Sequence, residues 1–586
     1  MAKFGNLLAG RSKGDAAALI ILLALVTISW LPRFRGPIDF RWDAGVYYIL
    51  GTSLAEGKGY RLLNEPGEIK AIQYPPLLPA LIAAHQLVFK TSDPIVVGHG
   101  LRLSFFVLFV IHIFAIYALA RHYLQPGYAF LATLVCLFNF FTHFLSDACF
   151  PEIAFALTTI LFVLCHKKGG RTFSVMAAIL AVMAYALRTV GVSLIAAWIV
   201  EGLLNRKYKI AAQRLSLLLI VVAGWQYYIR SVEIEPEYRQ PAYTYQRADY
   251  LFYNVSYARN VFLRDPFSSG SGHVSAVELA GRLLRNLAQT PMRLVVAVTS
   301  DRYFWEARRT AVNARLGIDL IPAWVIDAAL VLLGLLILGG VGLQLARRQW
   351  IIPCYLLFSL ASLSLTPWPG QFTRYYAPLA PFLTLSLFLT LDTITGFLRR
   401  IWPQMRKEIN IILVGSVVSL ILLVDGLTFV MIYREMHQNV AYVDQKGKIV
   451  TYRLFFYKDA YRALDAGLDW LKQWSKPDDV VASSMPHWVY LRTRLRAVMP
   501  PFETDPFRAQ ELLDSVPVTF IIQDRGLDLD TRKYLSPVVH TFPERWKLVY
   551  SDSITDAPEK MPPLRFEIYQ RVGLPRTVSK DFKRDP

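Results

Sequence analysis

The chain carries little charge for its length and almost no cysteine. Of its 586 residues only 18% are charged and 54% are hydrophobic. A water-soluble protein of this size has more charge and fewer long apolar runs, which excludes a soluble globular enzyme. The four cysteines, Cys136, Cys149, Cys165 and Cys354, lie in or beside apolar runs, and the polar C-terminal region has none. No pair has metal-site spacing, so they read as buried small hydrophobes. A dinucleotide-binding glycine fingerprint, a zincin helix and a nucleophile elbow are also missing. The stretch from Gly51 to Gly59 comes near a P-loop but has one residue too many, with Gly59 where Ser or Thr is required. No internal repeat stands out.

What the chain has is apolar length. Ala16 to Leu31, Leu101 to Ala120 and Ile411 to Ile432 approach or exceed what a bilayer crossing needs, so a polytopic membrane protein is expected. The net charge of +19 then points to cytoplasmic loops on an anionic lipid surface, and no zinc-finger spacing or basic heptad region argues for nucleic acid. Lys3, Arg11 and Lys13 precede the first run, which ends at Pro32 without a small-residue cleavage site. That reads as an uncleaved signal anchor with a cytoplasmic N-terminus.

Basic residues fall between apolar runs at Arg121, at Lys167, Lys168 and Arg171, and at Arg206, Lys207, Lys209 and Arg214. They recur at Arg347 and Arg348, then at Arg399, Arg400, Arg406 and Lys407. All become cytoplasmic with about eleven spans. The spans expected are 16–32, 99–120, 127–144, 150–166, 172–187, 189–204, 214–229, 321–345, 350–366, 376–397 and 409–432. This makes 1–432 a transmembrane domain with outer loops 33–98 and 230–320. The short turn from Ser146 to Pro151 lies on the same outer side. Within the first loop, Leu77 to Phe89 is apolar but too short to span, and fits an interfacial helix.

The tail, 441–586, alternates strand and helix signals. Val480 to Ala482, Val516 to Ile522, Trp546 to Tyr550 and Arg565 to Tyr569 read as strands, and Pro506 to Leu513 as a helix. A small soluble α/β domain on the extracytoplasmic face is expected, serving as a rigid cap or as an acceptor-docking surface.

Three groups of residues carry candidate chemistry. The first outer loop holds Asp43 beside Trp42, Tyr47 and Tyr48, followed by Gly57-Lys58-Gly59-Tyr60 and Gln73-Tyr74-Pro75-Pro76. A carboxylate there can take a proton from an acceptor hydroxyl, although a solvated turn aspartate looks the same, and spacing does not separate Asp43 from Asp39. The second group is Asp147 and Glu152, at the outer end of two spans. Helix capping and the helix dipole are their structural alternatives. The third is Arg102, Arg188 and Arg374, which suit a phosphate if they converge and otherwise snorkel to head groups.

Taken together, Asp-x₃-Tyr-Tyr, Gly-Lys-Gly-Tyr, Tyr-Pro-Pro-Leu-Leu-Pro, Ser-Asp before a Pro-Glu helix, and Arg-Tyr-Tyr-Ala-Pro-Leu-Ala-Pro before a late span form a pattern. With it the chain resembles membrane glycosyltransferases of the GT-C superfold, specifically the dolichyl-phosphate-mannose–protein mannosyltransferase-like family. The resemblance implies an α-helical polytopic fold and inverting transfer of a hexosyl or pentosyl group from a polyprenyl-phosphate donor. The acceptor would be a glycan, lipid or protein at the outer face of the cell envelope. It places Asp43 at the family's first-loop catalytic position, with Asp147 and Glu152 in the second acidic segment. Arg102, Arg188 and Arg374 are then candidates for the donor phosphate, and Tyr47 and Tyr74 for the substrate loop. No cofactor is implied, and a divalent cation is left open. A transporter or flippase of a lipid-linked glycan, with polar residues at mid-bilayer, is the alternative from another class. A non-catalytic membrane scaffold is the third.

Overall fold

Over its described residues, each of the eleven apolar segments expected from the sequence is mainly helical in the computed structural model. The structure describes residues 13–405, 408, 411–435, 439–443, 448–524, 530–554 and 564–573. Lys3, Arg11, Arg406 and Lys407, used above to assign sides, lie outside the described residues.

The helices differ from the expectation in length. Six are long and apolar enough to cross a membrane: Lys13–Arg35, Pro94–Arg121, Tyr208–Ile234, Ala323–Ala346, Phe372–Ile401 and Ile412–Arg434. The pair Pro126–Phe138 and Phe140–Asp147, bent by 57°, makes a seventh if it is one span. The bend falls at Asn139, whose backbone is extended and whose side-chain oxygen caps the second piece by accepting from Thr142 N–H at 3.2 Å. The remaining expected spans, such as Glu152–Lys168 and Arg171–Leu187, have 17 residues or fewer. At 1.5 Å per residue those reach about 25 Å, short of a hydrocarbon core of about 30 Å. Between Arg171–Leu187 and Val192–Leu204 the backbone of Arg188 is extended, so the two form a broken hairpin with the arginine at its tip.

Lipid is the solvent these helices need. Only 11% of the most apolar window of Tyr208–Ile234 and 22% of that of Lys13–Arg35 is covered by protein. Apolar surface on that scale is stable only inside a bilayer, so the chain is a multi-pass integral membrane protein. Phe372–Ile401 is the opposite case, with 83% covered, and forms the centre of the helical body.

The stretch 230–320 is not an open loop. It contains Ala276–Ala288, closed by a Ser275–Glu278 capping box, and Thr290–Val298, whose Leu294, Val295 and Val298 are buried in the main core.

The tail has strands β1 (Asn439–Val443), β2 (Ile449–Arg453), β3 (Val480–Ala482), β4 (Arg496–Val498), β5 (Val518–Gln523), β6 (Trp546–Ile554) and β7 (Leu564–Arg571). β1 and β2 form an antiparallel pair, and the others form a five-stranded sheet in the order β4-β3-β5-β7-β6. β3 runs parallel to β4 and β5, whereas β7 is antiparallel to β5 and β6. The sheet is fastened to the first long loop. Ala497 N–H donates to the Asn64 carbonyl at 2.8 Å, and the Asn64 side-chain amide donates back to the Ala497 carbonyl at 3.0 Å.

Candidate active site

Two acidic segments distant in sequence meet because the backbone laces them together. Asp39 N–H donates to the Asp147 carbonyl at 3.1 Å, and Cys149 N–H donates to the Asp39 carbonyl at 2.9 Å. The side chain of Asp39 is then consumed locally. It accepts from Arg41 Nε at 3.0 Å and Nη2 at 2.6 Å, and both residues are buried. The Arg41 guanidinium is sandwiched by Trp42 at 4.5 Å and Tyr461 at 4.4 Å and donates to the Phe455 carbonyl at 3.2 Å. This separates Asp39 from Asp43, which spacing did not.

Trp42 has φ 55° and ψ −138°, a conformation that strains any residue with a Cβ. It is held there by its indole N–H, which donates to the Tyr461 hydroxyl at 3.0 Å, and by packing on Phe144 and Phe150. The strained residue starts the helix Asp43–Ala55 and sets Asp43 on its first turn, where the helix dipole favours a carboxylate.

From there Asp43 faces a cavity of about 590 Å³. Arg374 Nη1 donates to its Oδ2 at 2.7 Å, and the Tyr253 hydroxyl donates to its Oδ1 at 2.9 Å. Burial pushes the Asp43 carboxyl up. The charge of Arg374, with hydrogen bonds from Arg374, Tyr253 and Tyr74, outweighs burial and holds it below the ordinary value. Tyr47 and Tyr74 line the same cavity, with ring centroids 4.8 Å apart. Burial raises both phenols well above their usual range, so they remain neutral hydrogen-bond donors.

Glu152 lies behind this wall, fully buried. Its Oε1 accepts from both Arg374 Nε, at 2.7 Å, and Arg188 Nη1, at 2.5 Å. Its Oε2 has no partner among the described residues. Arg188 and Arg374 themselves line the cavity, and Arg374 also lies 4.1 Å over the Phe150 ring. Asp43, Glu152, Arg188, Arg374, Tyr47 and Tyr74 are thus brought together.

Asp147 and Arg102 are not part of that group. They pair directly with each other, and the remaining Asp147 oxygen accepts from Phe455 N–H at 2.9 Å. Arg33 lies 3.9 Å from the same carboxylate, and Arg102 also donates to the Pro37 carbonyl at 2.5 Å. Neither Asp147 nor Arg102 lines the cavity. Among the described residues no group of three or more His, Cys, Asp or Glu side chains is arranged to hold a metal ion.

Sequence reasoning missed the far wall. Tyr253 and Tyr257 come from the 230–320 stretch, and Ser484 and Met485 come from the tail. The density of tyrosines there, at Tyr243, Tyr245, Tyr250, Tyr253 and Tyr257, was the available signal. Ser484 and Asp524 sit at the carboxyl ends of the parallel strands β3 and β5, where α/β sheets place ligands. The Ser484 hydroxyl donates to Asp524 Oδ2 at 2.6 Å. Burial pushes the Asp524 carboxyl up to about 6 against the hydrogen bonds from Ser484 and Thr531. Next along, the His487 ring stands edge-on to Tyr253, centroids 4.5 Å apart, and burial lowers its pKa to about 3. The tail therefore packs directly onto the partner of Asp43.

No family model and no curated protein matches the chain. Among solved structures it is similar to the archaeal oligosaccharyltransferase AglB from Archaeoglobus fulgidus, in complex with an inhibitory peptide and a dolichol-phosphate. The two are 13% identical over 94% of this chain and 76% of that one, with a TM-score of 0.47. It is also similar to ArnT from Cupriavidus metallidurans bound to undecaprenyl phosphate, at 11% identity over 94% of this chain and 97% of that one, with a TM-score of 0.44. A third is the arabinofuranosyltransferase AftD from Mycobacteria, at 12% identity over 94% and 39% of the two chains, with a TM-score of 0.41. Identities this low accommodate widely different substrates.

Proposed function

We propose that this chain is an inverting glycosyltransferase that takes a sugar from a polyprenyl-phosphate donor and passes it to an acceptor hydroxyl at the extracytoplasmic membrane surface. The observation that carries the reading is a cavity lined by one carboxylate, Asp43, together with two arginines, Arg188 and Arg374, at the end of the most buried span. A lipid-linked donor keeps its chain in the bilayer and presents its phosphate at this depth, where the two guanidinium groups can receive it.

In this reading the acceptor oxygen attacks the anomeric carbon on the face opposite the phosphate. The bond from that carbon to the phosphate oxygen breaks, and polyprenyl phosphate leaves with the electron pair. The acceptor proton passes to Asp43. A phosphate departs without protonation, so one base suffices, in contrast to glycosidases, which need a second carboxyl group as acid. Glu152, buried and engaged by both arginines, supports the arginines and not the proton transfer. Cations beside the departing oxygens gain strength as charge develops there.

Asp43 also has two sides. Oδ2 accepts from Arg374 and Oδ1 from Tyr253, and the tail residues Ser484 and Met485 line the same cavity, which supports an acceptor path along the tail. The test is release of free polyprenyl phosphate when the purified protein meets a panel of polyprenyl-phosphate sugars together with hydroxyl acceptors. Release in the wild type and none in Asp43→Asn is expected. No release from any donor overturns the reading.

A further inference from the structure

We propose that Asp43 and the donor phosphate compete for the same side of Arg374, so that donor binding itself releases the base. This deepens the reading above and rests on it.

The two carboxylates on Arg374 are equally close, each at 2.7 Å, but they are not equivalent. Glu152 is 0% exposed, receives both arginines on one oxygen, and does not line the cavity. Asp43 is 18% exposed and lines it. An anion arriving through the cavity therefore meets Arg374 from the Asp43 side alone. A phosphodiester monoanion offers the arginine fork the same pair of oxygens that a carboxylate does. Two anions cannot share one prong at hydrogen-bond distance without strong mutual repulsion in a buried site. The charges of Asp43, Glu152, Arg188 and Arg374 already sum to zero, so an added monoanion brings excess negative charge and competes with a carboxylate for the arginine. Glu152 is the fixed anchor and Asp43 is the exchangeable partner.

Displacement alters the chemistry of Asp43. The groups that face it are Arg374, Tyr253, Tyr74, Tyr47, Tyr375 and, from the tail, His487. Once Arg374 turns to the phosphate, the charge that depresses the Asp43 carboxyl is taken up by another anion, while the tyrosine hydrogen bonds persist. Asp43 becomes a better proton acceptor only when a donor is in place. The geometry thus couples donor occupancy to base strength, so that proton transfer requires a bound donor.

The experiment measures binding of undecaprenyl phosphate in detergent micelles to the full-length protein and its variants. This is the kind of lipid phosphate that leaves in the proposed reaction, and it presents the same phosphate to Arg374. Asp43→Asn is expected to bind about tenfold tighter than wild type, because one charge-assisted hydrogen bond no longer competes. Asp43→Ser, which removes the same charge with a smaller side chain, is expected to show the same gain. Glu152→Gln removes an equal charge at an equal distance and is expected to show no gain, because Arg374 loses its anchor. Equal gains in Asp43→Asn and Glu152→Gln overturn the proposal, since a general loss of negative charge then explains both. So does unchanged or weaker binding in both Asp43 variants with their thermal midpoints kept. Binding to wild type that Arg374→Ala abolishes, with no gain in the Asp43 variants, leaves the donor reading standing and removes the exchange. No binding to any form overturns the donor reading itself.

Discussion

Two carboxylate–arginine clusters lie on either side of one short turn, and they have opposite characters. Asp147 and Glu152 are five positions apart, yet Asp147 joins Arg102 and Arg33 whereas Glu152 joins Arg188 and Arg374. In the first cluster every remaining side is closed by protein: the Phe455 amide covers Asp147 and the Pro37 carbonyl covers Arg102. In the second, Asp43 and the two arginines open onto a cavity. Residue type and spacing do not distinguish the two. What distinguishes them is whether backbone or empty space fills the last side, and that is decided by segments far along the chain, 65 positions from Arg102 for Pro37 and 308 from Asp147 for Phe455.

Under the proposed function, the contrast makes the first cluster a matter of folding and the second a matter of turnover. Asp43→Asn is expected to lower turnover by about 10²–10⁴-fold, as loss of a general base does, while the unfolding temperature changes little. Initial rates on protein matched for folding check this. If Asp43→Asn keeps full turnover and Asp147→Asn loses it with the fold intact, the two clusters exchange roles. Next in size, Arg102→Met should leave Asp147 buried with its main partner gone and destabilise the protein by about 3–5 kcal/mol, seen as a lowered thermal midpoint in detergent. A normal midpoint would mean that this cluster is not sealed.

Arg374 gives a graded test. Arg374→Ala should lower both turnover and donor affinity, and Arg374→Lys should recover only part, because an ammonium keeps the charge but loses the fork. Full recovery by lysine would reduce the residue to a head-group anchor. The smallest effect is expected at the far wall. Ser484→Ala removes one hydroxyl already committed to Asp524 and should raise the KM for the acceptor by about 2–10-fold, the size of one hydrogen bond, with turnover and donor KM unchanged.

Much of the fold was legible because the bilayer imposes a length on apolar runs, and each expected span proved mainly helical over its described residues. Expected length did not separate long helices from short ones: 172–187 and 189–204 became short helices, whereas 16–32 and 214–229, of similar expected length, extend to Lys13–Arg35 and Tyr208–Ile234. In the tail, short apolar runs located β3 and β5–β7, whose strand cores match the expected segments, whereas β1, β2 and β4 were not foreseen. The candidate site was only partly legible. Asp43, Tyr47 and Tyr74 share one loop, so their grouping follows from local sequence. The approach of Arg188 and Arg374 to Glu152 depends on three separate helix ends meeting. Asp147 and Arg102 looked equivalent to Glu152 and Arg374 because their closure comes from Phe455 and Pro37, which no local pattern announces. The same holds for Tyr253 and Ser484, which reach the cavity from elements that carry no recognisable motif.

One contact limits how this chain can be recombined. Arg41 and Trp42 fix the backbone that presents Asp43, and their partners are Phe455, Tyr457 and Tyr461, which come after the last span. A chimera joined where that span ends, near Tyr433, would graft a foreign tail and remove all three. The natural seam for exchanging tails lies after Tyr461, so the stretch between span and sheet belongs by function to the membrane half of the molecule.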